Sequence, residues 1–241
     1  MDNPTPFAPV STAWAGADGA GAVAGAATAR VALVAGATGL VGREILRGLL
    51  ADKDVAAVHT LGRRSTSLSH PKLTQHVVDF AALAPLPAAT ELYLALGTTI
   101  KVAGSQAAFR AVDFEANLAV AKAARAQGVT RCGIVSAMGA DAGSSIFYNR
   151  VKGELEDALS ALGFTTLVLA RPSFLVGDRA TLGQPLRSGE KLALNVSRWL
   201  RPLIPANLRA IHAESVAAAL LEAVPRRSGR HVMLSGAMQP A

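Results

Sequence analysis

Apolar positions along the chain follow two spacings in alternation. Short runs of Val, Leu, Ile and Ala are separated by stretches in which apolar residues recur every three or four positions. That alternation predicts strands of a parallel sheet joined by crossover helices. Strands are expected at 31–35, 54–61, 73–78, 91–96, 130–135, 164–170 and 229–234. A helix begins near residue 40, with Val41, Ile45 and Leu49 on one face and Leu46 and Leu50 beside it. A long helix is predicted from about 105 to 127, with Gly128 as its stop. Another ends near Leu159, with Ser144 and Ser145 as candidate caps. A last one spans 212–224. Pro-rich 84–87 breaks the chain, and strand–helix alternation lapses over 178–209. The expected fold class is α/β, a doubly wound parallel sheet over residues 30–241 with a small C-terminal substrate lobe around 178–209.

The first strand and first helix are joined by Gly36-Ala-Thr38-Gly39-Leu40-Val41-Gly42. Each glycine has its own task. Gly36 allows a tight exit from the strand, Gly39 lets a pyrophosphate approach the backbone, and Gly42 lets helix and strand pack closely. The helix N-terminus then offers unpaired N–H groups and partial positive charge to an anion. The strand before and the helix behind favour a dinucleotide site over an ordinary glycine-rich turn. A nucleoside-triphosphate loop would close on Gly-Lys-Ser/Thr, whereas this chain continues Gly42-Arg43-Glu44.

The second strand ends in Gly62-Arg63-Arg64, where such folds hold the adenosine ribose. An acid there would accept from a ribose 2′-hydroxyl, but Asp52 and Asp54 lie at the other end of the strand. Two guanidinium groups suit a 2′-phosphate, so the expected cofactor is NADP(H) rather than NAD. Asp79 and Phe80, after the third strand, either border the adenine or simply end and pack that strand. Leu96, Gly97 and Thr98 close the fourth strand, where the cofactor's ribose and phosphate would pass. Arg171 and Pro172 close the sixth, beside the expected nicotinamide.

The fifth strand ends in Ser136, at the edge where open α/β sheets bind ligands. Tyr148 and Lys152 follow, one helical turn apart and therefore on one face. A free tyrosine, with a pKa of about 10, is a poor acid or base near neutrality. An adjacent ammonium stabilises the phenolate and moves the group toward the working range. Ser136, Tyr148 and Lys152 are the candidate catalytic residues, with Ser136 placing the oxygen of a small-molecule substrate.

Composition narrows the alternatives. At 241 residues, 51% apolar, the chain can bury one large core. The net charge of +7 comes from basic residues placed singly or in pairs without interleaved aromatics. That suits a solvated surface and an anionic ligand rather than nucleic acid. One cysteine, Cys132, excludes a disulfide and points to a reducing compartment, so a cytoplasmic location is expected. The five histidines lack metal-ligand spacing, and no metal is expected. Ser136 lies outside any Gly-x-Ser-x-Gly elbow, which argues against a serine hydrolase. No apolar run is long enough to span a bilayer. Residues 1–29, rich in Pro, Ala, Gly, Ser and Thr and without Lys or Arg, read as a disordered leader rather than a signal peptide. The basic, Trp-containing stretch 191–209 suits either the substrate lobe, the favoured reading, or a membrane surface. A monomer and a homodimer are both open.

Taken as a set, 36–42, 62–64, 78–80, 96–99, 136–141, 147–154 and 170–172 resemble the atypical short-chain dehydrogenase/reductase superfamily. The likeness is closest to the branch of HIV Tat-interacting oxidoreductase-like proteins. The resemblance implies a Rossmann-like domain that binds NADPH at Gly36, Thr38, Gly39, Leu40, Val41, Arg63 and Arg64. It implies Tyr148 as acid/base, Lys152 as its tuner and ribose ligand, and Ser136 as the group orienting the reacting oxygen. One position departs: the superfamily's helical Asn, part of a proton relay, falls near Asp113, and an ionised carboxylate only accepts hydrogen bonds. Two functions are therefore carried forward, an NADP-dependent oxidoreductase and a non-catalytic NADPH-sensing regulatory or interaction protein.

Overall fold

The computed structural model describes residues 29–176 and 205–239. Its strands are β1 (Arg30–Ala35), β2 (Val55–Gly62), β3 (Leu73–Val77), β4 (Glu91–Leu94), β5 (Arg131–Val135), β6 (Thr166–Arg171), β7 (Leu175–Val176), β8 (Ile211–His212) and β9 (Gly229–Leu234). Seven of them form one sheet in the order β3-β2-β1-β4-β5-β6-β9, with every neighbouring pair parallel. All seven predicted strands are present in a Rossmann-like doubly wound sheet. The order reverses between β1 and β4, which leaves a crevice beyond their carboxyl ends. β4 stops at Leu94 rather than Leu96. Only the Ala95 N–H still reaches back to the Ala35 carbonyl, at 2.8 Å, before the chain passes over the glycine turn.

The helices are α1 (Leu40–Ala51), α2 (Ile100–Ala103), α3 (Gln106–Arg110), α4 (Asn117–Ala126), α5 (Phe147–Ser160) and α6 (Ala213–Arg226). On one face of the sheet α1 and α6 bury Val41, Ile45, Leu49, Val216 and Leu220. On the other, α4 and α5 bury Val120, Ala124, Leu155 and Leu159. Each of the Val, Leu and Ile side chains contributes about 1.5–3 kcal/mol by leaving water, so packing rather than propensity holds these helices.

Three predictions are corrected. The single helix over 105–127 is α3 and α4 joined by a π turn, Ala111–Ala116. Hydrophobic spacing does not reveal one wide turn, because it shifts the apolar period by a single residue. The left-handed Gly128, at φ 86°, does end the helix as expected. Neither Ser144 nor Ser145 caps α5, which starts after Ile146 without a side-chain cap; the Ser144 hydroxyl instead accepts from the Ile146 N–H. The last helix starts at Ala213, one residue later than predicted, and continues through Pro225 to Arg226.

The short strands β7 and β8 pair in parallel, Leu175 with Ile211 and Val176 with His212. The predicted leader, apart from Ala29, and residues 178–204 of the predicted lobe lie outside the described residues.

Candidate functional site

The glycine turn is built as its spacing demands. Gly36 has φ 90°, and a Cβ there would lie 2.5 Å from the Ala95 backbone. A Cβ on Gly42 would lie 2.1 Å from the Gly36 carbonyl oxygen. Neither position can carry a side chain. At Gly39 a Cβ would make only ordinary contacts, the nearest at 3.4 Å, so packing does not require glycine there. Gly39 is the N-cap of α1, which has no side-chain cap and no acid in its first turn. The first N–H groups of α1, at Leu40 and Val41, are thus left to an anion, and this cradle fits a dinucleotide diphosphate. Thr38, exposed, sits in the turn itself.

At the end of β2, Arg63 and Arg64 are both exposed and form no ion pair with a described residue. They stand at the carboxyl edge of the strand beside β1. Asp79 is exposed, and its carboxylate accepts from the Ala81 N–H, 2.9 Å away. Phe80 packs, partly buried, against the α4–α5 side of the core. Both make the strand-end contacts that were the alternative to an adenine site.

The end of β4 is tied to the π turn and to the start of α4 by two buried polar residues, Asp113 and Asn117. The Thr98 N–H donates to Asp113 Oδ2 at 2.8 Å, and Asn117 Nδ2 donates to the Leu96 carbonyl at 3.2 Å. Gly97 passes against the same acid, since its Cβ position lies 3.5 Å from Asp113 Oδ1. Asn117 Oδ1 is buried with no hydrogen-bond partner among the described residues.

Tyr148, Lys152 and Glu156 form one stripe along α5, at successive four-residue steps. The helix is set by Gly153: a Cβ there would fall 2.2 Å from the backbone of Asp141 and Ala142 in the loop after β5. Tyr148 is half-buried, its ring 5.5 Å from that of fully buried Phe109. Lys152 is buried, with Nζ 2.8 Å from Asp113 Oδ1. Burial pulls its pKa down most strongly, yet the charges of Asp113 and then Tyr148 outweigh it and leave the ammonium above its ordinary value. Asp113, where the superfamily has Asn, is therefore the counter-ion of Lys152.

Ser136 and Arg171 do something other than expected. The Ser136 hydroxyl donates to buried Glu156, and Ser136 is only 5% exposed. The Arg171 guanidinium grips the same carboxylate, Nε to Oε1 at 3.0 Å and Nη2 to Oε2 at 2.6 Å. That hydrogen bond first, and the carboxylate charge, raise the Arg171 pKa. Glu156 thus engages both the Ser136 hydroxyl and the Arg171 guanidinium.

A cleft of about 500 Å³ opens in front of Tyr148. Thr99 and Ile100 come to it from the end of β4, and Ala137 and Met138 from the end of β5. Pro172, Ser173 and Phe174 follow β6. Of the predicted catalytic and Arg171–Pro172 residues, Tyr148 and Pro172 reach the cleft. Thr99 belongs to the 96–99 stretch expected at the cofactor edge, whereas Asn117 and Glu156 carry no expectation from the sequence. Glu156 carried a signal, as an acid one turn beyond Lys152 on the same helical face. Among the described residues no group of three or more His, Cys, Asp or Glu could hold a metal, and no helix is long and apolar enough to cross a membrane. Cys132 is buried at the centre of the sheet, where burial pushes its thiol pKa up.

Comparison with known proteins agrees with this geometry. A family model described as NAD(P)H-binding matches residues 36–200. The chain is 38% identical over 163 residues to "Protein fmp52, mitochondrial" of Emericella nidulans, covering 63% of this chain and 69% of that protein. It is 32% identical over 176 residues to "Protein FMP52, mitochondrial" of Candida albicans, covering 70% and 76%. Among solved structures, a short chain dehydrogenase family protein from Francisella tularensis superposes with a TM-score of 0.62 at 14% identity. That superposition covers 86% of this chain and 98% of the other. The expected cytoplasmic location is corrected by the relatives, whose names place them in mitochondria. A lone buried cysteine separates oxidising from reducing surroundings and does not separate one reducing compartment from another.

Proposed function

The chain belongs to the NAD(P)H-binding family whose model spans residues 36–200, and from that membership we propose that it is an NADPH-dependent oxidoreductase acting on a small carbonyl compound. The single observation that carries the reading is Tyr148: its side chain lines a cleft, one turn ahead of a buried lysine, at the carboxyl edge of a doubly wound sheet. Gly36, Gly39 and the N–H groups of Leu40 and Val41 would hold the diphosphate. Arg63 and Arg64 would hold the adenosine 2′-phosphate. When bound, the reduced nicotinamide supplies two electrons as hydride. Tyr148 gives the proton to the substrate oxygen at the open side of the cleft, and the Lys152 ammonium below it stabilises the phenolate left behind. The 136–141 and 147–154 stretches support a place near the HIV Tat-interacting oxidoreductase-like branch.

One observation favours a second reading, a protein that binds NADPH and reports it to a partner without turnover. Lys152 already has Asp113 as counter-ion, and the Ser136 hydroxyl is committed to Glu156. Calorimetric titration with NADPH and NADH, followed by turnover of wild type and Tyr148→Phe on a carbonyl panel, separates the two. Turnover that Tyr148→Phe removes with NADPH binding intact supports the oxidoreductase. NADPH binding without turnover in the wild type supports the sensor, and absence of heat with either nucleotide overturns both.

A further inference from the structure

The cleft in front of Tyr148 has a definite chemistry. Ile100, Ala137, Met138, Pro172 and Phe174 give it apolar walls, and Met138 remains 37% exposed. Its polar groups are the hydroxyls of Thr99, Tyr148 and Ser173. None of the described residues lining it is charged, and Lys152 and Arg171 are paired with Asp113 and Glu156. The described walls therefore offer an anion no counter-charge, and desolvating an unpaired carboxylate or phosphate there is strongly unfavourable.

The hydroxyls are not equivalent. Ser173 is committed: its Oγ–H donates to the Arg209 carbonyl, and its oxygen accepts from the Ser235 hydroxyl. Thr99 Oγ1 accepts from the Val102 N–H at the start of α2, and its own hydrogen has no acceptor among the described residues. Thr99 and Tyr148 thus remain as hydroxyl donors facing the cleft. A carbonyl oxygen has two lone pairs and takes two donors.

We infer that this cleft binds an uncharged carbonyl compound carrying an extended apolar group, with its oxygen received by the Tyr148 and Thr99 hydroxyls. The inference rests on the oxidoreductase reading and names its substrate class. Thr99 takes the positioning role expected of Ser136, whose hydroxyl faces Glu156. The apolar tail lies along Ile100, Met138 and Phe174, which supply dispersion contacts and exclude water.

The test is calorimetric binding of two matched ketones to the full chain, with and without NADP+. The ketones are 2-nonanone and 8-oxononanoate, which differ by a terminal carboxylate. The neutral ketone is expected to bind about tenfold more tightly or better. Met138→Glu weakens 2-nonanone about tenfold and leaves NADPH affinity unchanged, because it adds a charge to an exposed wall position. Thr99→Val weakens 2-nonanone, whereas Thr99→Ser, which keeps both the hydroxyl and the α2 cap, binds as wild type does. Equal affinity for the two ketones overturns the inference, as does wild-type binding of 2-nonanone by both Met138→Glu and Thr99→Val. Heat with NADPH but no preference between the ketones overturns this inference and leaves the cofactor reading standing. A ketone preference without heat from NADPH supports the cleft chemistry and overturns the cofactor reading.

Discussion

Lys152 Nζ lies 2.8 Å from Asp113 Oδ1, with the two side chains 5% and 1% exposed. This buried ion pair joins the π turn before α4 to the middle of α5. Through the second carboxylate oxygen it also fixes the Thr98 N–H at the end of β4. Breaking one side of such a pair leaves the other charge buried without a partner, at about 3–5 kcal/mol. Asp113→Asn is therefore expected to destabilise the protein by about that much in urea unfolding. Asp113→Leu with Lys152→Met should recover most of the loss, because a well-packed apolar pair replaces the ions. Since the folded pKa of Lys152 is raised, its contribution is whole below the ordinary lysine value. It is lost only as pH rises through the higher folded value. Unfolding curves of wild type should thus show no loss from this pair between pH 7 and 9.

Arg63 and Arg64 are exposed, without an ion pair to a described residue, at the carboxyl end of the strand beside β1. A guanidinium forked onto a phosphate adds a charge-assisted contact that a ribose hydroxyl cannot match. Replacing both with Ala should weaken NADPH by about 1.5–3 kcal/mol, roughly ten- to a hundredfold, and leave NADH within about twofold. Calorimetry on the wild type and the double variant reads both numbers, and equal wild-type affinity for the two nucleotides would rule the assignment out.

Much of the fold was legible because hydrophobic spacing reports directly which faces are buried. Ala32–Ala35 and Val168–Ala170 read as strands because both their faces are covered. Gly36 and Gly42 were legible because a side chain at either would meet backbone. The polar interior was not legible in the same way. A sequence shows that Ser136 ends a strand but not where its hydroxyl turns, since that depends on Glu156, twenty residues away on another element. The partner of Lys152 depends likewise on a π turn that leaves the apolar pattern almost unchanged.

His59 and His76 meet across β2 and β3, with Nδ1 and Nε2 3.0 Å apart. Burial lowers both pKa values, and for His59 the neighbouring His76 adds to it. As pH falls through the ordinary histidine value of about 6.5, the unfolded chain takes up protons before the folded one. The pair's contribution is complete above that value and declines below it. Thermal unfolding between pH 7.5 and 5 should show stability falling by up to about 1.4 kcal/mol per pH unit for each proton. His76→Val should flatten that slope. Asp52, held down first by the Asp54 N–H and then by Arg30, loses its contribution only at more acid pH.

Gly153 sits where α5 crosses the loop after β5, and its Cβ position is 2.2 Å from backbone that cannot yield cheaply. Gly153→Ala gains helix propensity of about 1 kcal/mol, but the clash outweighs it and forces α5 away from the loop. A net loss of about 1–3 kcal/mol is expected in urea unfolding. Since the shift also moves Tyr148, affinity for a cleft ligand such as 2-nonanone should fall in the same variant.

Ser136 separates a structural from a catalytic assignment. Its hydroxyl donates to a carboxylate that Arg171 already holds by three hydrogen bonds, and the residue is buried at the end of β5. Ser136→Ala removes one bond to a charged acceptor, about 1.5–3 kcal/mol of stability. It leaves Glu156 paired, and the cleft-facing Ala137 and Tyr148 untouched. Stability should therefore fall while turnover stays within about threefold, because general acid catalysis does not pass through this hydroxyl. Tyr148→Phe should show the reverse, with unfolding nearly unchanged and turnover down by about a hundredfold or more. The two variants are read side by side, by urea unfolding and by NADPH oxidation with a ketone. If Ser136→Ala lost turnover to the same degree as Tyr148→Phe while remaining folded, its hydroxyl would have to swing from Glu156 to the substrate during reaction. The cleft would then take three hydroxyl donors rather than two.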